Sequence, residues 1–280
     1  GAIISRNPEQ LLEIFFVLSE ILKNSKAKCY SRNRKDFLAM QRRIAPILRG
    51  LRLGSGGLTR IHGGDIGISG LADKLLCESR LRGGSKSVDV LGVERLTAGR
   101  LVLLLDCGEP PSNSDNAHAA CLSFELSSGQ RPIFVNCGPG ARFGKDYKRF
   151  CRTTRAHNTC SLEGISQSEF KQTVTGSVFP AEVISRGPKN IKKQRGKSID
   201  ASWVESSHDG YLEHHGVIHK RKLLLLNTGR TLSGTDIFTK SLIRSGNQDR
   251  FKIVAYFHLH PDVEITDHPH SKKMILRLLN

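Results

Sequence analysis

The sequence lacks several features that would place it in a class at once. No apolar run approaches the ~18 residues of a membrane span, and the longest runs, at residues 101–105 and 223–226, have the length of a strand. The seven cysteines are odd in number and contain no C-x-x-C pair. That spacing argues against a disulfide framework or a cysteine zinc knuckle and favours small buried side chains. No internal repeat is visible.

A targeting segment is also missing from the sequence as it stands. Residue 1 is glycine and leads directly into a helix signal, without a basic region, an apolar core and a small-residue cleavage site. We therefore expect the chain to be a fragment or a processed piece of a longer protein. A signal peptide upstream of Gly1 is compatible with this interpretation.

The charge balance is strongly basic. Lysine and arginine number 43 against 26 acidic residues, which gives a formal net charge of +17. Such a field favours a polyanionic partner, either nucleic acid or an acidic polysaccharide, and charge alone does not separate them. The basic run at residues 186–197, beside Pro188 and Gly196, is predicted to be a solvated loop. No stacked-aromatic RNA signature or zinc-finger spacing accompanies it, so nucleic acid is not the expected partner.

The hydrophobic pattern changes from helical to strand-like near residue 88. Asn7 caps a predicted helix that has Pro8 in its first position. A glycine-rich ordered loop is predicted over residues 54–67, and Pro46 is expected to kink or divide the helix before it. Two further predicted helices span residues 34–53 and 69–81, the last ended by Gly83-Gly84.

After residue 88 the chain has short apolar runs separated by turn residues. The clearest signal is a hairpin around Ser127-Ser128-Gly129-Gln130. Helices followed by antiparallel strands predict an α+β fold with segregated layers, divided into residues 1–88 and 89–280. The predicted strands cover residues 100–106, 119–126, 132–135, 173–179, 200–205, 216–226, 231–238 and 251–260.

Three polar positions are the first candidates for a site. His118 is expected to open the first strand of the hairpin and Asn136 to close the second, which makes them near neighbours across the strands. His157 is expected to open a later strand. Two imidazoles and an amide would then meet at one end of a sheet. The alternative is that each is an ordinary polar residue, satisfied at its own strand end.

The segments around these positions resemble the β-domain signature of heparinase II/III-type polysaccharide lyases. They are H-A-x-x-L-S-F-E-L from His118 and R-x-T-x-A-H-N-T from Arg152. The similarity continues through residues 5–12, 207–211, 216–221 and 257–261. It implies C-terminal helices of an (α/α) toroid, then an antiparallel β-sandwich, with an acidic polysaccharide in the cleft between them. It also implies β-elimination of a uronic-acid-containing glycan, and a location in the cell envelope or periplasm.

The resemblance implies a structural zinc ion, held in some members by a histidine, an aspartate and a histidine. The matching positions here are His118, Asn136 and His157. An amide is a neutral and much poorer zinc ligand than a carboxylate, so the departure at Asn136 puts the metal in doubt.

The resemblance also implies catalytic roles. His157, Arg155 and Asn116 are the candidates, although Asn116 stands where some members carry a catalytic histidine and cannot act as a base. Phe143 lies near the position of a catalytic tyrosine and has no hydroxyl group; Tyr147 is nearby but is not favoured as its replacement. The remaining catalytic groups of the family lie upstream of residue 1, so we do not expect this chain to turn over substrate alone.

Five further residues are candidates for binding substrate. Arg152 and Arg155 flank the H-N-T segment and suit charge neutralisation of a carboxylate. For the four candidates other than Arg152, a structural role competes with substrate binding. His208 and Tyr211 would belong to a turn at residues 208–211, and His219 and Arg221 to the polar face of a strand. His258 and His260 carry less weight. The candidates are Arg152, His208, Tyr211, His219 and Arg221.

Three functions compete at this stage. The first is a polysaccharide lyase, and the second is a non-catalytic module that binds acidic glycans, favoured by Asn116 and Phe143. The third is a nucleic-acid-binding protein, favoured by charge alone. The sequence sets neither the glycan nor the oligomeric state.

Overall fold

The structure is a computed structural model that describes residues 3–24, 33–81, 91–112, 114–173, 181–241, 250–267 and 273–278. Helices come first and strands follow, in the order expected for an α+β chain. The predicted change of pattern at residue 88, the Gly83-Gly84 helix end and most of the predicted strand at 173–179 lie outside the described residues. Within the part that is described, no helix is long and apolar enough to cross a membrane.

The first helix begins where the sequence predicts. The Asn7 Oδ1 atom accepts hydrogen bonds from the backbone N–H groups of Glu9 and Gln10, at 2.9 and 3.3 Å, and so caps α1. Its apolar stripe, including Leu12 and Phe15, is buried. The helices of this part are α1 (Pro8–Asn24), α2 (Arg34–Gly50) and α3 (Leu71–Glu78).

Pro46 does not divide α2, which runs unbroken through it to Gly50. Proline removes one backbone hydrogen bond from a helix interior. Ala45 and Leu48 on either side are fully buried against the helical core, and this packing holds the helix together across the missing bond.

Two four-stranded antiparallel sheets form the second part of the fold. The first sheet has the order β1-β2-β3-β4 and contains the predicted hairpin, with Ser128 paired to Arg131. The second has the order β11-β10-β9-β8. The strands of the first sheet are Val93–Ala98, Leu101–Asp106, Phe124–Ser128 and Arg131–Phe134 (β1–β4); those of the second are Lys192–Lys197, Ala201–His208, Val217–Leu226 and Leu232–Lys240 (β8–β11).

The two sheets pack face to face as a β-sandwich. Residues alternate between buried and half-exposed along β10, as expected for a strand with one face on a core. The inward side chains of both sheets form one apolar cluster, which includes Leu103 and Phe124 from the first sheet and Val204 and Leu223 from the second. The predicted α+β class with an antiparallel sandwich is confirmed.

Smaller paired strands complete the described chain. β5 pairs with β12, β6 with β7, and β13 with β14, all antiparallel. Their bounds are Cys160–Leu162 (β5), Glu169–Thr173 (β6), Ala181–Arg186 (β7), Ile253–Ala255 (β12), Val263–Asp267 (β13) and Met274–Leu278 (β14); two short helices are Lys145–Cys151 (α4) and Leu212–His215 (α5).

Two local predictions were wrong. The basic run at 186–197 is largely a strand, because β8 pairs along its length with β9 and its lysines keep an edge strand solvated. His118 does not open a strand: β3 begins at Phe124, and residues 114–123 form a loop.

The helices and the sandwich are directly joined. Side chains of all three helices share an apolar cluster with Val93 and Leu104 of the first sheet. The Arg95 guanidinium donates to the Gly50 carbonyl at 3.2 Å, and the Gly54 N–H donates to the Ser127 hydroxyl at 2.9 Å. The loop between α2 and α3 therefore lies against the sandwich, where the site residues gather.

Candidate functional site

His118 and His157 contact each other in the interior. His118 Nδ1 and His157 Nε2 are 3.0 Å apart, and the two rings meet edge to face with centroids 5.1 Å apart. The loop that carries His118 is fixed by Arg152, whose carbonyl accepts from the Ala119 N–H and whose Nε donates to the Ala117 carbonyl. The structure thus brings two of the three predicted metal ligands together.

The hydrogen bonds assign the tautomers of this pair. His157 Nδ1 lies 2.8 Å from the Thr153 carbonyl, so it carries the proton and Nε2 accepts from His118 Nδ1. Burial lowers the pKa of His157 to about 4, against the Thr153 carbonyl that favours the charged form. Burial, together with the repulsion that protonated His157 and His62 would exert, holds the pKa of His118 well below its ordinary value. Both rings are neutral near pH 7.

Asn136 does not direct its amide at this pair. Its Oδ1 accepts from the Asn158 N–H at 3.0 Å, and its Nδ2 donates to the Arg60 carbonyl at 3.2 Å and faces the Ser123 hydroxyl at 3.4 Å. The amide ties the end of the hairpin to the α2–α3 loop. A carboxylate could not donate to the Arg60 carbonyl, so this position is built for asparagine.

Asn158, beside His157, links four parts of the chain. Its Nδ2 donates to the Phe124 carbonyl, its Oδ1 accepts from the His258 N–H, and its carbonyl accepts from Arg221. With the bond to Asn136, every polar group of this buried residue has a partner.

The donor set does not fit a zinc ion. His118 and His157 offer two neutral nitrogens, and the nearby charges that act on His118, from Arg152 and Lys148, are positive. Among the described residues, no histidine, cysteine or carboxylate supplies a third ligand atom within 4.8 Å of both. Zinc sites in proteins are four-coordinate, and a dication here would lack any anionic ligand.

We expect metal removal to have no effect on the protein. Incubation with a chelator should leave the Tm unchanged, and equimolar zinc should not raise it, because the histidine pair is satisfied by its own hydrogen bonds. Thermal unfolding followed by circular dichroism measures both. A zinc-dependent rise in Tm that disappears in the His118→Gln variant would contradict this expectation.

Sequence reasoning missed three residues next to the pair. The His118 N–H donates to His62 Nδ1 at 3.3 Å, and His62 Nε2 lies 3.3 Å from the Asp106 carboxylate. Asp106 also pairs with Arg6, from the segment before α1. Burial opposes ionisation of Asp106, but the charge of Arg6 and the polar contacts with His62 and Arg6 prevail and lower its pKa to about 2. The one available signal was a carboxylate at the end of an otherwise apolar strand, which requires a partner.

Asn116 and Arg155 are the predicted catalytic residues that lie at the surface. Arg155 is exposed and Asn116 is half-buried. Asn116 packs on Gly63, which has a φ of +76° and would place a Cβ atom 2.8 Å from that of Asn116. Only glycine allows the α2–α3 loop to approach this closely. Arg152 is different: it is buried, bonded to Glu182 at 3.0 Å and stacked on Phe170.

The predicted substrate-binding residues of the second sheet lie inside the protein. His208 Nδ1 accepts from the Gly210 N–H, His208 Nε2 then donates to His219 Nδ1 at 3.2 Å, and His219 Nε2 donates to Asp236 at 2.7 Å. Tyr211 donates to the Cys160 carbonyl. All these side chains except that of Asp236 are buried and bonded to protein groups, and none lines an open cleft in this structure.

Arg221 completes this network. It donates twice to Asp236, and its Nη1 donates to the carbonyls of Leu122 and Asn158 at 2.7 and 2.6 Å. Cys160, His219 and Asp236 have ligand-like spacing, but the Arg221 guanidinium contacts both Cys160 and Asp236 and supplies the positive charge itself. Burial raises the pKa of Cys160 to about 12, so its thiol is not a nucleophile.

A family model described as heparinase II/III-like, C-terminal, matches residues 80–280. The chain belongs to this family. Solved structures with the same fold include the heparan sulfate lyase HepC from Pedobacter heparinus, at 12% identity and a TM-score of 0.57, covering 80% of this chain and 36% of HepC. A search of curated proteins gave no match.

Two heparinase III structures also match the heparinase II/III-like chain. One has 14% identity and a TM-score of 0.60 over 84% of this chain and 40% of its own length. The other, a heparinase III gene product, has 11% identity and a TM-score of 0.65 over 98% of this chain and 43% of its own. This chain therefore spans well under half the length of these relatives, and at such identities the likeness concerns the fold.

The heparinase II/III-like chain has an exposed aromatic surface on α4, whose C-terminal end is bonded through Arg152 to the loop that carries Asn116. Phe143, Tyr147 and Phe150 are 62, 53 and 44% exposed, and their rings follow one another with centroids 5.3 and 6.1 Å apart. Basic side chains alternate with them along α4 and the turn before it. We call this the aromatic–basic surface: Arg142, Phe143, Lys145, Tyr147, Lys148, Arg149 and Phe150.

Proposed function

We propose that this chain is the C-terminal part of a polysaccharide lyase that cleaves a uronic-acid-containing glycan by β-elimination. The observation that carries the proposal is the aromatic–basic surface next to the loop of Asn116. Exposed apolar patches rimmed by polar groups mark binding sites, and here the rim is cationic. Residues 1–88 would be the helical remnant of the toroid, residues 89–280 the sandwich, and the cell envelope the setting.

The surface suits an acidic sugar polymer. Aromatic rings offer flat apolar faces on which sugar rings stack, while lysine and arginine pair with carboxylate or sulfate groups. Arg149 lies 3.5 Å from Glu182 but keeps 76% of its side chain exposed, and Arg142 lies over the Phe143 ring at 4.8 Å. The three rings lie in a row with centroids 5.3 and 6.1 Å apart, so one polymer would contact more than one of them.

The reaction requires neutralisation of the uronate carboxylate, a base for the adjacent C–H, and a proton for the leaving oxygen. Of the predicted catalytic residues, exposed Arg155 and half-buried Asn116 would hold the carboxylate. His157 has both ring nitrogens bonded and no exposure, so its role would be to position the Asn116 loop through His118.

A second function is favoured by the same residues. Asn116 cannot abstract a proton, Phe143 has no hydroxyl group, and His157 is sealed from solvent. A non-catalytic module that binds acidic glycans would have this surface and yield no product.

Product formation separates the two functions. The intact natural protein is incubated with heparan sulfate, chondroitin sulfate and alginate, and the ultraviolet absorbance of unsaturated uronate is followed. We expect absorbance to rise with at least one polymer. Salt-sensitive retention on a heparin resin without any absorbance change would contradict the lyase proposal and favour the non-catalytic binding module.

Charge removal on the aromatic–basic surface should weaken glycan binding. Replacing Lys148 and Arg149 by alanine should lower affinity for heparin about tenfold and the salt concentration needed for elution, because two cation–anion contacts disappear. Isothermal titration with a heparin oligosaccharide measures the change. The matched control is Arg42→Ala with Arg43→Ala, which removes the same charge from the exposed face of α2 and should leave affinity nearly unchanged. Equal losses in the two double variants would show that only net charge matters.

A further inference from the structure

The outer face of the second sheet carries the chain's single tryptophan. Trp203 lies on β9 opposite Gly196 of the edge strand β8. A Cβ atom at Gly196 would lie 2.5–2.6 Å from three indole atoms, so the indole occupies the space directly against the glycine backbone. Any other residue at 196 would displace the ring. The indole thus covers the edge strand and stays half-exposed.

The strand pattern places Trp203 on the solvent side of the sandwich. Its neighbour Val204 is fully buried in the core between the sheets, and consecutive side chains of a strand point to opposite faces. On β8, Lys193 and Arg195 reach Glu94 of the first sheet, so they face inward. Lys192 and Gln194 therefore share the outer face with Trp203, and both are exposed.

A lysine of β10 joins the indole on this face. Lys222 Nζ lies 4.8 Å from the centroid of the Trp203 ring. Glu205 of β9 lies on the same face, in register between Gln194 and Lys222. Its carboxylate pairs with Lys220 at 3.3 Å, which offsets its negative charge. An ammonium group, an amide and a half-exposed indole lie together on a pleated surface. We call this group the Trp203 platform: Lys192, Gln194, Trp203 and Lys222.

We propose that the Trp203 platform is a second binding site for an acidic glycan, separate from the aromatic–basic surface. One sugar ring would stack on the indole while Lys222 moves from the ring to pair with a carboxylate or sulfate group of that sugar. Gln194 would bond sugar hydroxyl groups. The proposal rests on the proposed function, since it takes the same class of polymer as ligand. It adds a point of attachment on a different element of the fold.

Two attachment points on one polymer would raise its retention without new chemistry. A chain bound at one point reaches the second as an intramolecular event, so overall affinity exceeds that of either point alone. The competing interpretation is that Trp203 only shields the edge strand β8. The binding role predicts that the fluorescence of the indole changes when a sugar is added, and the shielding role predicts no change.

The single tryptophan makes the test direct. Fluorescence of the full chain carrying Lys148→Ala and Arg149→Ala is titrated with a heparin hexasaccharide, and with a neutral maltohexaose as control. We expect a saturable change in the Trp203 emission with the acidic sugar only, weakened by salt. Absence of any emission change at concentrations that saturate heparin binding of the unsubstituted chain would overturn the platform. Formation of unsaturated uronate by the intact natural protein would in that case still support the proposed function.

Two variants complete the test. Lys222→Ala should weaken the fluorescence-detected affinity about fivefold, because one cation–anion contact is lost. Gly196→Ala should abolish the response by displacing the indole, with circular dichroism reporting the fold. Lys35→Ala, an exposed lysine of α2, is the matched control and should behave as the parent. A response of unchanged affinity in Lys222→Ala would overturn the proposal even if Gly196→Ala failed to fold.

Discussion

Replacing Arg221 with methionine should lower the free energy of unfolding by about 3–5 kcal/mol. The guanidinium is buried and is the group that compensates Asp236 and the carbonyls of Leu122 and Asn158. Methionine fills much of the volume but offers no donor. It would leave a carboxylate and two carbonyl oxygens short of partners. Urea unfolding at neutral pH, followed by circular dichroism, measures the loss.

The control for this substitution is on the adjacent residue of the same strand. Lys220 points outward and pairs with Glu205 at 3.3 Å across a partly exposed surface. Lys220→Met should change stability by no more than about 1 kcal/mol, since surface ion pairs contribute little. If both variants were equally stable, the Arg221 network would not hold the sheets together as described.

Acidification should destabilise the protein well before its carboxylates titrate. The unfolded chain binds a proton at each histidine near pH 6.5, whereas the pKa of His157 in the folded state is lowered to about 4 by burial. Between these values the unfolded state holds more protons, so stability is fully present above pH 6.5 and falls as the pH drops towards 4. His157 alone accounts for about 3 kcal/mol over that range. His62, His118 and His208 act in the same direction, because burial lowers their pKa values too.

Urea midpoints at pH 7.5, 6 and 5 test this expectation. The His157→Gln variant should show a shallower decline with falling pH, because the titrating group is gone. A midpoint that stays constant from pH 7.5 to 5 in the parent would show that these rings are not buried in neutral form.

Local sequence signals predicted much of the fold, but contacts between residues distant in sequence were not predicted. The Asn7 cap, the hairpin at Ser128 and the strand at 216–226 depend on residues close in sequence, so the chain itself displays them. The basic strand β8 escaped because its structure comes from pairing with β9 rather than from its own composition.

The site shows the same division. The meeting of His118 with His157 was one of two alternatives that their expected positions at strand ends left open, and their neighbours were not predicted. His62 reaches Asp106 across 44 positions and Arg6 reaches it across 100. Such pairs form only when the helices pack on the first sheet. The local sequence around one partner therefore does not predict the other. The same holds for Asn136, whose amide finds its partners in the α2–α3 loop and beside His157.

Asn158 makes the H-N-T segment of the candidate site rigid. Because its backbone and amide are bonded to both sheets and to the segment of His258, the H-N-T stretch cannot shift without breaking bonds in several strands together. Under the proposed function, a glycan that binds Arg155 would contact a side chain carried by a rigid backbone segment. Little ordering entropy would then be lost in the protein on association, and discrimination among sugars would come from fit to a preformed shape rather than from adaptation to each one.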